Sequence, residues 1–266
     1  MPLIAAAQMT SGPDKQQNLE TAVRLVRRAA GLGAKLVGLP ENFSFMGPDT
    51  ERAANAEALD GPTLSRMAGL ARELSITLLA GSVLEAGGPG GRFYNTSVLF
   101  GPDGARLAVY RKIHLFDVDI NDGATYRESD AIAPGTDVVA VDTTVGKLGM
   151  SVCYDLRFPE LYRKLSAQGA TLLSVPAAFT LMTGKDHWEV LLRARAIENQ
   201  CYVLAPAQFG RHSEKRVTYG HALVADPWGL VIGRASEGEG LAVGEVDPEV
   251  LRRVRQSIPC LSHRRL

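Results

Sequence analysis

Short apolar runs alternate along the chain with longer mixed segments, and turns rich in glycine and proline separate them. The runs are typical of buried strands, whereas the longer segments carry the start and stop signals of helices. In the first half, this pattern predicts strands at 3–8, 35–39 and 76–83, with helices at 14–30 and 63–74 between them. Strands that alternate with helices in this way indicate an α/β protein.

The second half of the chain repeats this order. It contains predicted strands at 147–152, 171–175 and 201–206, with helices at 158–168 and 186–199. The repetition predicts a pseudo-duplicated α/β fold in which two mixed sheets pack face to face with helices outside. One doubly wound sheet is the alternative. No linker separates the halves, so we expect a single domain over 1–266.

A β-hairpin is predicted at the same place in each half. Residues 94–111 form the first hairpin around the turn at 101–104, and residues 219–234 form the second around 226–229. In the second hairpin, residues 219–225 are predicted as one continuous strand. The matching positions of the two hairpins strengthen the prediction of a duplicated fold.

Composition narrows the function classes. The chain has 266 residues, 45% hydrophobic and 22% charged, with 29 basic and 29 acidic side chains. This balance gives no indication of a nucleic-acid or membrane partner. No apolar stretch reaches the roughly 18 residues of a membrane span. The three cysteines are widely spaced, which favours free thiols over a disulfide framework and predicts a cytoplasmic protein.

Three chemically useful side chains stand where predicted strands end. Cys153, Glu41 and Lys112 each follow an apolar run. A free thiol with a pKa of about 8.5 is only a few per cent thiolate at neutral pH, so it needs a base. A glutamate serves if burial raises its pKa toward neutrality. A lysine, aided by the backbone N–H of Tyr154, can hold the negative oxygen of a tetrahedral intermediate.

Each of these residues alone has a simpler interpretation. A lone cysteine is usually a core residue, and a lone glutamate or lysine is usually a solvated surface residue. The five histidines show no metal-ligand spacing, and no Gly-x-Ser-x-Gly elbow is present. We therefore expect no metal and no cofactor, and a thiol nucleophile rather than a serine.

The segments 39–42, 110–118 and 152–160 resemble the three motifs of the nitrilase superfamily of carbon–nitrogen hydrolases, and the likeness extends over essentially the whole chain. It implies the family's four-layer αββα sandwich. It also implies Glu41 as the general base, Lys112 as the oxyanion partner and Cys153 as the nucleophile. Glu128 stands where the family often carries a supporting glutamate; the alternative is a surface acid.

Within the superfamily, the segments 187–202, 210–216 and 219–221 are most similar to deaminated glutathione amidases. This resemblance implies an amidohydrolase that cleaves a primary amide of its substrate and releases ammonia through a cysteine thioester. The alternatives are an omega-amidase acting on α-ketoglutaramate, an N-carbamoyl or other small-amide hydrolase, and a non-catalytic interaction protein. The superfamily resemblance also implies a homodimer or larger homo-oligomer.

The same resemblance implies that Arg157, Phe179 and Thr180 bind the keto-acid end of the substrate, where the planar guanidinium suits a carboxylate. The alternative is that Arg157 pairs with Asp155 or Glu160 and only shapes its turn.

A second subsite is expected at the loop that holds Arg211, His212 and Lys215. This subsite would hold the peptide-like remainder of deaminated glutathione, which an omega-amidase does not need to bind.

Overall fold

The computed structural model describes residues 1–119, 125–214 and 216–265. These ranges contain sixteen β-strands and six α-helices. The strands are β1 (Leu3–Met9), β2 (Ala34–Gly38), β3 (Thr77–Glu85), β4 (Tyr94–Phe100), β5 (Arg106–Arg111), β6 (Asp117–Asp119), β7 (Thr125–Arg127), β8 (Ala140–Thr143), β9 (Gly146–Met150), β10 (Leu172–Ser174), β11 (Tyr202–Ala205), β12 (Ala207–Arg211), β13 (Val217–Tyr219), β14 (Leu223–Ala225), β15 (Val231–Arg234) and β16 (Gly240–Glu245). The helices are α1 (Lys15–Gly31), α2 (Arg52–Asn55), α3 (Pro62–Leu74), α4 (Pro159–Ala167), α5 (Leu181–Asn199) and α6 (Pro248–Ser257).

The strands form two large mixed sheets. The first has the order β13-β12-β1-β2-β3-β4-β5, with β16 also paired to β1, and the second has the order β15-β14-β11-β10-β9-β8. Strands β6 and β7 form a separate pair. The prediction of two mixed sheets is confirmed, and the alternative of one doubly wound sheet is wrong.

The two sheets are built on the same plan. In the first, β1, β2 and β3 are parallel neighbours, and β4 and β5 continue antiparallel. In the second, β9, β10 and β11 are parallel, and β14 and β15 continue antiparallel. The first strand of each set also has an antiparallel partner on its other side, β16 and β8 respectively. The predicted duplication is therefore present in the strand pairing.

The alternation of side chains along β1 explains how the layers are held together. Ile4 belongs to the apolar cluster that also contains Leu148 and Val203 of the second sheet. Ala5 faces the other way and joins the cluster that contains Leu25 of α1. Successive strand residues point to opposite faces, so one strand contributes both to the core between the sheets and to the core beneath the helices.

Two predicted boundaries are wrong. The predicted strand at 219–225 is two strands, because the chain leaves the first sheet after β13 and enters the second at β14. Gly220 and His221 make this crossing with positive φ angles of 75° and 59°. Helix α5 begins at Leu181 rather than at 186, because the side chain of Thr180 caps it by accepting a hydrogen bond from the N–H of Thr183.

Among the helices of the described ranges, none combines the length and the apolar character needed to cross a bilayer. The longest is α5 with 19 residues, and it carries several charged side chains.

Candidate active site

The ends of three strands meet around one cavity. Glu41 follows β2, Lys112 follows β5 and Cys153 follows β9, and all three line a cavity of about 750 Å³. Two of these strands belong to the first sheet and one to the second. The residues are 2%, 2% and 7% exposed respectively. The three strand exits recognised in the sequence therefore converge at the boundary between the two sheets.

The turn after β9 holds Cys153 in an unusual backbone conformation. Its φ is +49°, in the left-handed region of the backbone that residues other than glycine and asparagine rarely adopt. Its own N–H donates to the carbonyl oxygen of Pro176 at 2.9 Å. Tyr154 follows in the first turn of the 3₁₀ segment Cys153–Arg157, where N–H groups have no acceptor within the helix. The turn thus presents the thiol and the next N–H together.

Asp155 fixes this turn to the strand exit that carries Lys112. It is fully buried, and its Oδ2 accepts hydrogen bonds from the hydroxyl of Tyr110 at 2.7 Å and from the N–H of Val152 at 2.8 Å. Its Oδ1 accepts from the N–H of His114 at 3.0 Å and lies 2.7 Å from the ring Nδ1 of the same histidine. One carboxylate therefore ties the β5 exit to the β9 exit. Sequence reasoning missed this role of Asp155.

Lys112 lies between two carboxylates. Its Nζ donates to Oε1 of Glu41 at 3.0 Å and to Oε2 and Oε1 of Glu128 at 2.8 and 3.1 Å. The side chain of Glu128 is only 16% exposed. The alternative that Glu128 is a solvated surface acid is therefore wrong.

Three further donors satisfy the two carboxylates. Nδ2 of Asn95 lies 2.9 Å from Oε1 of Glu41 and 3.2 Å from Oε1 of Glu128. The N–H of Ala178 donates to Oε2 of Glu41 at 3.0 Å, and the N–H of Phe116 donates to Oε2 of Glu128 at 2.7 Å. Sequence reasoning missed Asn95, because an asparagine near the start of β4 carries no local signal of this role.

The electrostatics of the site differ from the expectation that burial raises the pKa of Glu41. Burial does act in that direction, but the charge of Lys112 and hydrogen bonds from Cys153 and Lys112 outweigh it, and the pKa of Glu41 is lowered. Burial together with the negative charge of Glu41 raises the pKa of Cys153 well above its ordinary value. Burial opposes the charge of Lys112, but Glu128 and Glu41 raise its pKa. At neutral pH the resting site holds a thiol, a carboxylate and an ammonium.

Arg157, Phe179 and Thr180 line the same cavity. The guanidinium carbon of Arg157 lies 5.3 Å from the centre of the Phe179 ring, and one of its nitrogens lies 3.3 Å from Nδ1 of His187. Neither Asp155 nor Glu160, both within the described part of the chain, is an ion-pair partner of this arginine. The alternative that Arg157 pairs with one of them is therefore wrong.

The residues expected at a second subsite divide into three cases. Arg211 is exposed, donates to the carbonyl oxygen of Glu214 and does not line the cavity, so that part of the prediction is wrong. His212 lines the cavity, and burial lowers its pKa to about 4. Lys215 lies outside the residues that the structure describes. Arg216, which the sequence reasoning did not select, lines the cavity instead.

The described part of the chain contains no group of three or more His, Cys, Asp or Glu side chains arranged to hold a metal ion. Cys153 provides a nucleophile, Glu41 an ionised carboxylate and Lys112 a cation. This combination suits acyl transfer from an amide or a related carbonyl compound.

Sequence comparison identifies the family. The family model described as Carbon-nitrogen hydrolase matches residues 3–256. The chain belongs to the carbon–nitrogen hydrolase family. The three motif segments, the two-sheet fold and the arrangement around Cys153 all lie within the matched region.

Individual relatives agree with this assignment. The chain is 51% identical over 265 residues to the deaminated glutathione amidase of a Synechocystis strain, covering 98% of this chain and 97% of the relative. The crystal structure of the Caenorhabditis elegans NitFhit protein has a TM-score of 0.94 at 42% identity; the match covers 99% of this chain but 65% of that longer one. Saccharomyces cerevisiae Nit3, a member of the nitrilase superfamily, has a TM-score of 0.89 at 34% identity and is covered over 97% of its length.

The role of Asp155 as a clamp yields a stability prediction. The Asp155→Asn variant should lose about 2–4 kcal/mol of unfolding free energy. In this variant an NH₂ group, which can only donate, replaces one of the two carboxylate oxygens that accept hydrogen bonds from buried donors. Urea unfolding measures this change.

Asp142→Asn is the matched control, because the side chain of Asp142 is 85% exposed in an ion pair with Lys147. That substitution should change stability by less than about 0.5 kcal/mol. Equally small changes in unfolding free energy in both variants would contradict the role of Asp155 as a clamp between the two strand exits.

Proposed function

We propose that this enzyme hydrolyses the γ-amide of deaminated glutathione through a thioester on Cys153, with Glu41 as general base and Lys112 as oxyanion partner. The observation that carries the proposal is that Cys153, Glu41 and Lys112 line one cavity, where Nζ of Lys112 lies 3.0 Å from Oε1 of Glu41. The name of the Synechocystis relative supports the choice of substrate.

In the acylation step, the sulfur of Cys153 attacks the amide carbon while Glu41 takes the thiol proton. The carbonyl oxygen becomes negative between Nζ of Lys112 and the N–H of Tyr154, which stabilise it. When the intermediate collapses, the C–N bond breaks and the amine leaves with the proton from Glu41. In deacylation, water attacks the thioester carbon while Glu41 takes its proton. The C–S bond then breaks, Glu41 returns the proton to the sulfur of Cys153, and the keto acid is released.

The raised pKa of Cys153 and the lowered pKa of Glu41 make a free thiolate unfavourable in the resting site. Proton transfer is therefore expected to accompany attack, because the negative charge then passes to an oxygen beside Lys112. The elevated cost of a thiolate is offset only when a carbonyl group is in place. This accounts for a nucleophile that stays protonated until the substrate is bound.

The chemistry of the substrate fixes the leaving group. Deaminated glutathione contains only secondary amides, so cleavage of its γ-amide releases the amine of a dipeptide. The sequence analysis expected a primary amide and release of ammonia. Of the two candidate substrates, only α-ketoglutaramate has a primary amide and would release ammonia. An assay for deaminated glutathione therefore has to follow the keto acid or the dipeptide.

Arg157 supplies the proposed binding site for the keto-acid carboxylate. Its guanidinium lies over the Phe179 ring on the cavity wall, four residues beyond Cys153. An arginine in this position can bind a carboxylate through two parallel hydrogen bonds. Thr180 contributes less directly, because its hydroxyl caps α5 by accepting from the N–H of Thr183 at 3.4 Å.

Glu128 is proposed as a supporting residue. Both of its oxygens accept hydrogen bonds from Nζ of Lys112, so it holds the ammonium in place beside Glu41. Hydrogen bonds from Nδ2 of Asn95 and from the N–H of Phe116 hold the carboxylate of Glu128 itself. In this arrangement Glu128 acts on the reaction through Lys112.

The thioester is the most direct test of this function. Acid quenching of the wild-type enzyme during turnover of deaminated glutathione, followed by mass spectrometry, should detect the enzyme with the keto-acyl group attached at Cys153. The Cys153→Ala variant should carry no adduct and lose roughly 10⁴-fold or more in kcat, because it has no nucleophile.

Cys260→Ala is the matched control, since Cys260 is a free cysteine outside the cavity. It should retain both the adduct and the activity. An active Cys153→Ala variant would contradict the proposed chemistry and favour a non-catalytic thiol.

We also propose that the enzyme is a homodimer. Val190 and Ile197 lie two turns apart on the same face of α5 and are 66% and 50% exposed. Trp228 and Leu230, in the turn after β14, are 59% and 60% exposed. A Cβ on Gly229 would lie 2.5 Å from Ile197, so the turn lies directly against the helix. An exposed apolar surface of this kind is typical of a subunit interface.

Light scattering in solution tests the dimer. The double substitution Val190→Glu and Trp228→Glu should produce a monomer, because it places charges on the apolar surface. Leu107→Glu is the control, since Leu107 is 40% exposed on β5 in the other sheet and should leave the mass unchanged. A monomeric wild-type protein, or a dimer that survives the double substitution, would contradict the assignment of this surface.

A further inference from the structure

The cavity offers more room and more positive charge than a small keto acid uses. Its volume of about 750 Å³ lies in the upper part of the usual range for small-molecule sites. Two arginines from different segments of the cavity lining lack a carboxylate partner among the described residues: Arg157, in the turn after Cys153, and Arg216, in the loop between β12 and β13. Arg52, which also lines the cavity, is paired with Asp49 at 2.7 Å.

The backbone around Arg216 is firmly held. Its carbonyl oxygen accepts a hydrogen bond from the N–H of His212 at 2.9 Å, and its own N–H donates to Oγ of Ser213 at 3.1 Å. Strand β13 begins at the next residue and pairs with β12. Because this backbone is already held in place, less conformational entropy is lost when Arg216 binds a ligand than for an arginine on an unsupported loop.

His212 anchors the loop and does not provide a second cation. Its ring lies between the carbonyl oxygen of Ser11 and the hydroxyl of Thr218, at 2.7 Å from each. Because the carbonyl only accepts, Nδ1 carries the proton and Nε2 accepts from Thr218. Burial lowers the pKa of His212 to about 4, so the ring is neutral at physiological pH. Arg216 is therefore the cation that the described part of this loop presents to the cavity.

We propose that Arg216 forms a second carboxylate-binding subsite, which holds the terminal carboxylate of the dipeptide portion of deaminated glutathione. This inference rests on the proposed function. The substrate carries one carboxylate at each end, and two separate loops each present to the cavity one guanidinium that has no carboxylate partner among the described residues. The guanidinium of Arg216 can form two parallel hydrogen bonds with the distal carboxylate. Arg216 thus determines specificity and is not required for the chemistry at Cys153.

An electrostatic effect on the base is the competing role for Arg216. Its positive charge contributes, after that of Lys112, to the lowered pKa of Glu41. If that were its function, replacing it would slow the reaction of every substrate. If it binds the distal carboxylate, only substrates that possess this carboxylate will be affected.

Steady-state kinetics with three substrates separates these roles. Arg216→Gln is compared with the wild type on deaminated glutathione, on its C-terminal carboxamide, and on α-ketoglutaramate. We expect KM for deaminated glutathione to rise about 10- to 100-fold with little change in kcat, as for loss of a hydrogen bond to a charged group. Values for the other two substrates should change less than about twofold. Arg66→Gln, an exposed arginine on α3, controls for the loss of one positive charge.

The outcomes are distinct. A similar loss of kcat on all three substrates would overturn the subsite and assign Arg216 to the base. Wild-type kinetics of Arg216→Gln on deaminated glutathione would also overturn it, while leaving the proposed function intact. A wild-type enzyme that turns over α-ketoglutaramate but not deaminated glutathione would overturn both the subsite and the proposed substrate.

Discussion

The site depends on the single positive charge of Lys112. This lysine is 2% exposed and hydrogen-bonds to Glu41 and Glu128 at once. Buried charges are tolerated only when they are paired and their remaining hydrogen-bonding positions are filled, and removal of a partner costs about 3–5 kcal/mol. Asn95 and the N–H groups of Ala178 and Phe116 fill those positions. Two carboxylates and one ammonium still leave the cluster with a net negative charge.

Burial and that net charge together determine the state of the nucleophile. Burial disfavours a thiolate at Cys153, which would also add another negative charge beside Glu41, so the pKa of the thiol is raised. In the proposed mechanism the substrate resolves this conflict, because its carbonyl oxygen receives the charge next to Lys112 and Tyr154. The same interaction that holds the resting site together therefore becomes most favourable during the reaction, which is the condition for catalysis.

The duplicated fold explains why these groups meet. Glu41 and Lys112 stand at strand exits of the first sheet, and Cys153 stands at an exit of the second. Asp155 connects the two sides by accepting hydrogen bonds from Tyr110 and from Val152. The relative position of nucleophile and cation is thus set by one buried carboxylate that reaches from one sheet to the other.

Sequence reasoning identified the strand exits because an apolar run that ends in Glu41, Lys112 or Cys153 is a local pattern. It missed Asn95 and Asp155, because Asn95 contacts Glu41 and Glu128, and Asp155 contacts Tyr110 and His114, all far away along the chain. The expected rise in the pKa of Glu41 was wrong because that expectation considered burial and left out the charge of Lys112, which acts directly on Glu41. The strand predicted at 219–225 was wrong because a continuous pattern does not reveal that the chain changes sheets at Gly220.

The ionisation state of Glu41 with and without Lys112 tests the central claim most directly. Infrared difference spectra between each protein and its Glu41→Gln counterpart isolate the carboxyl band of Glu41 at neutral pH. In the wild type we predict an ionised carboxylate. In Lys112→Met the opposing charge is gone, burial raises the pKa of Glu41, and the band of a protonated carboxyl should replace it. A Glu41 that stays ionised in Lys112→Met would contradict the account.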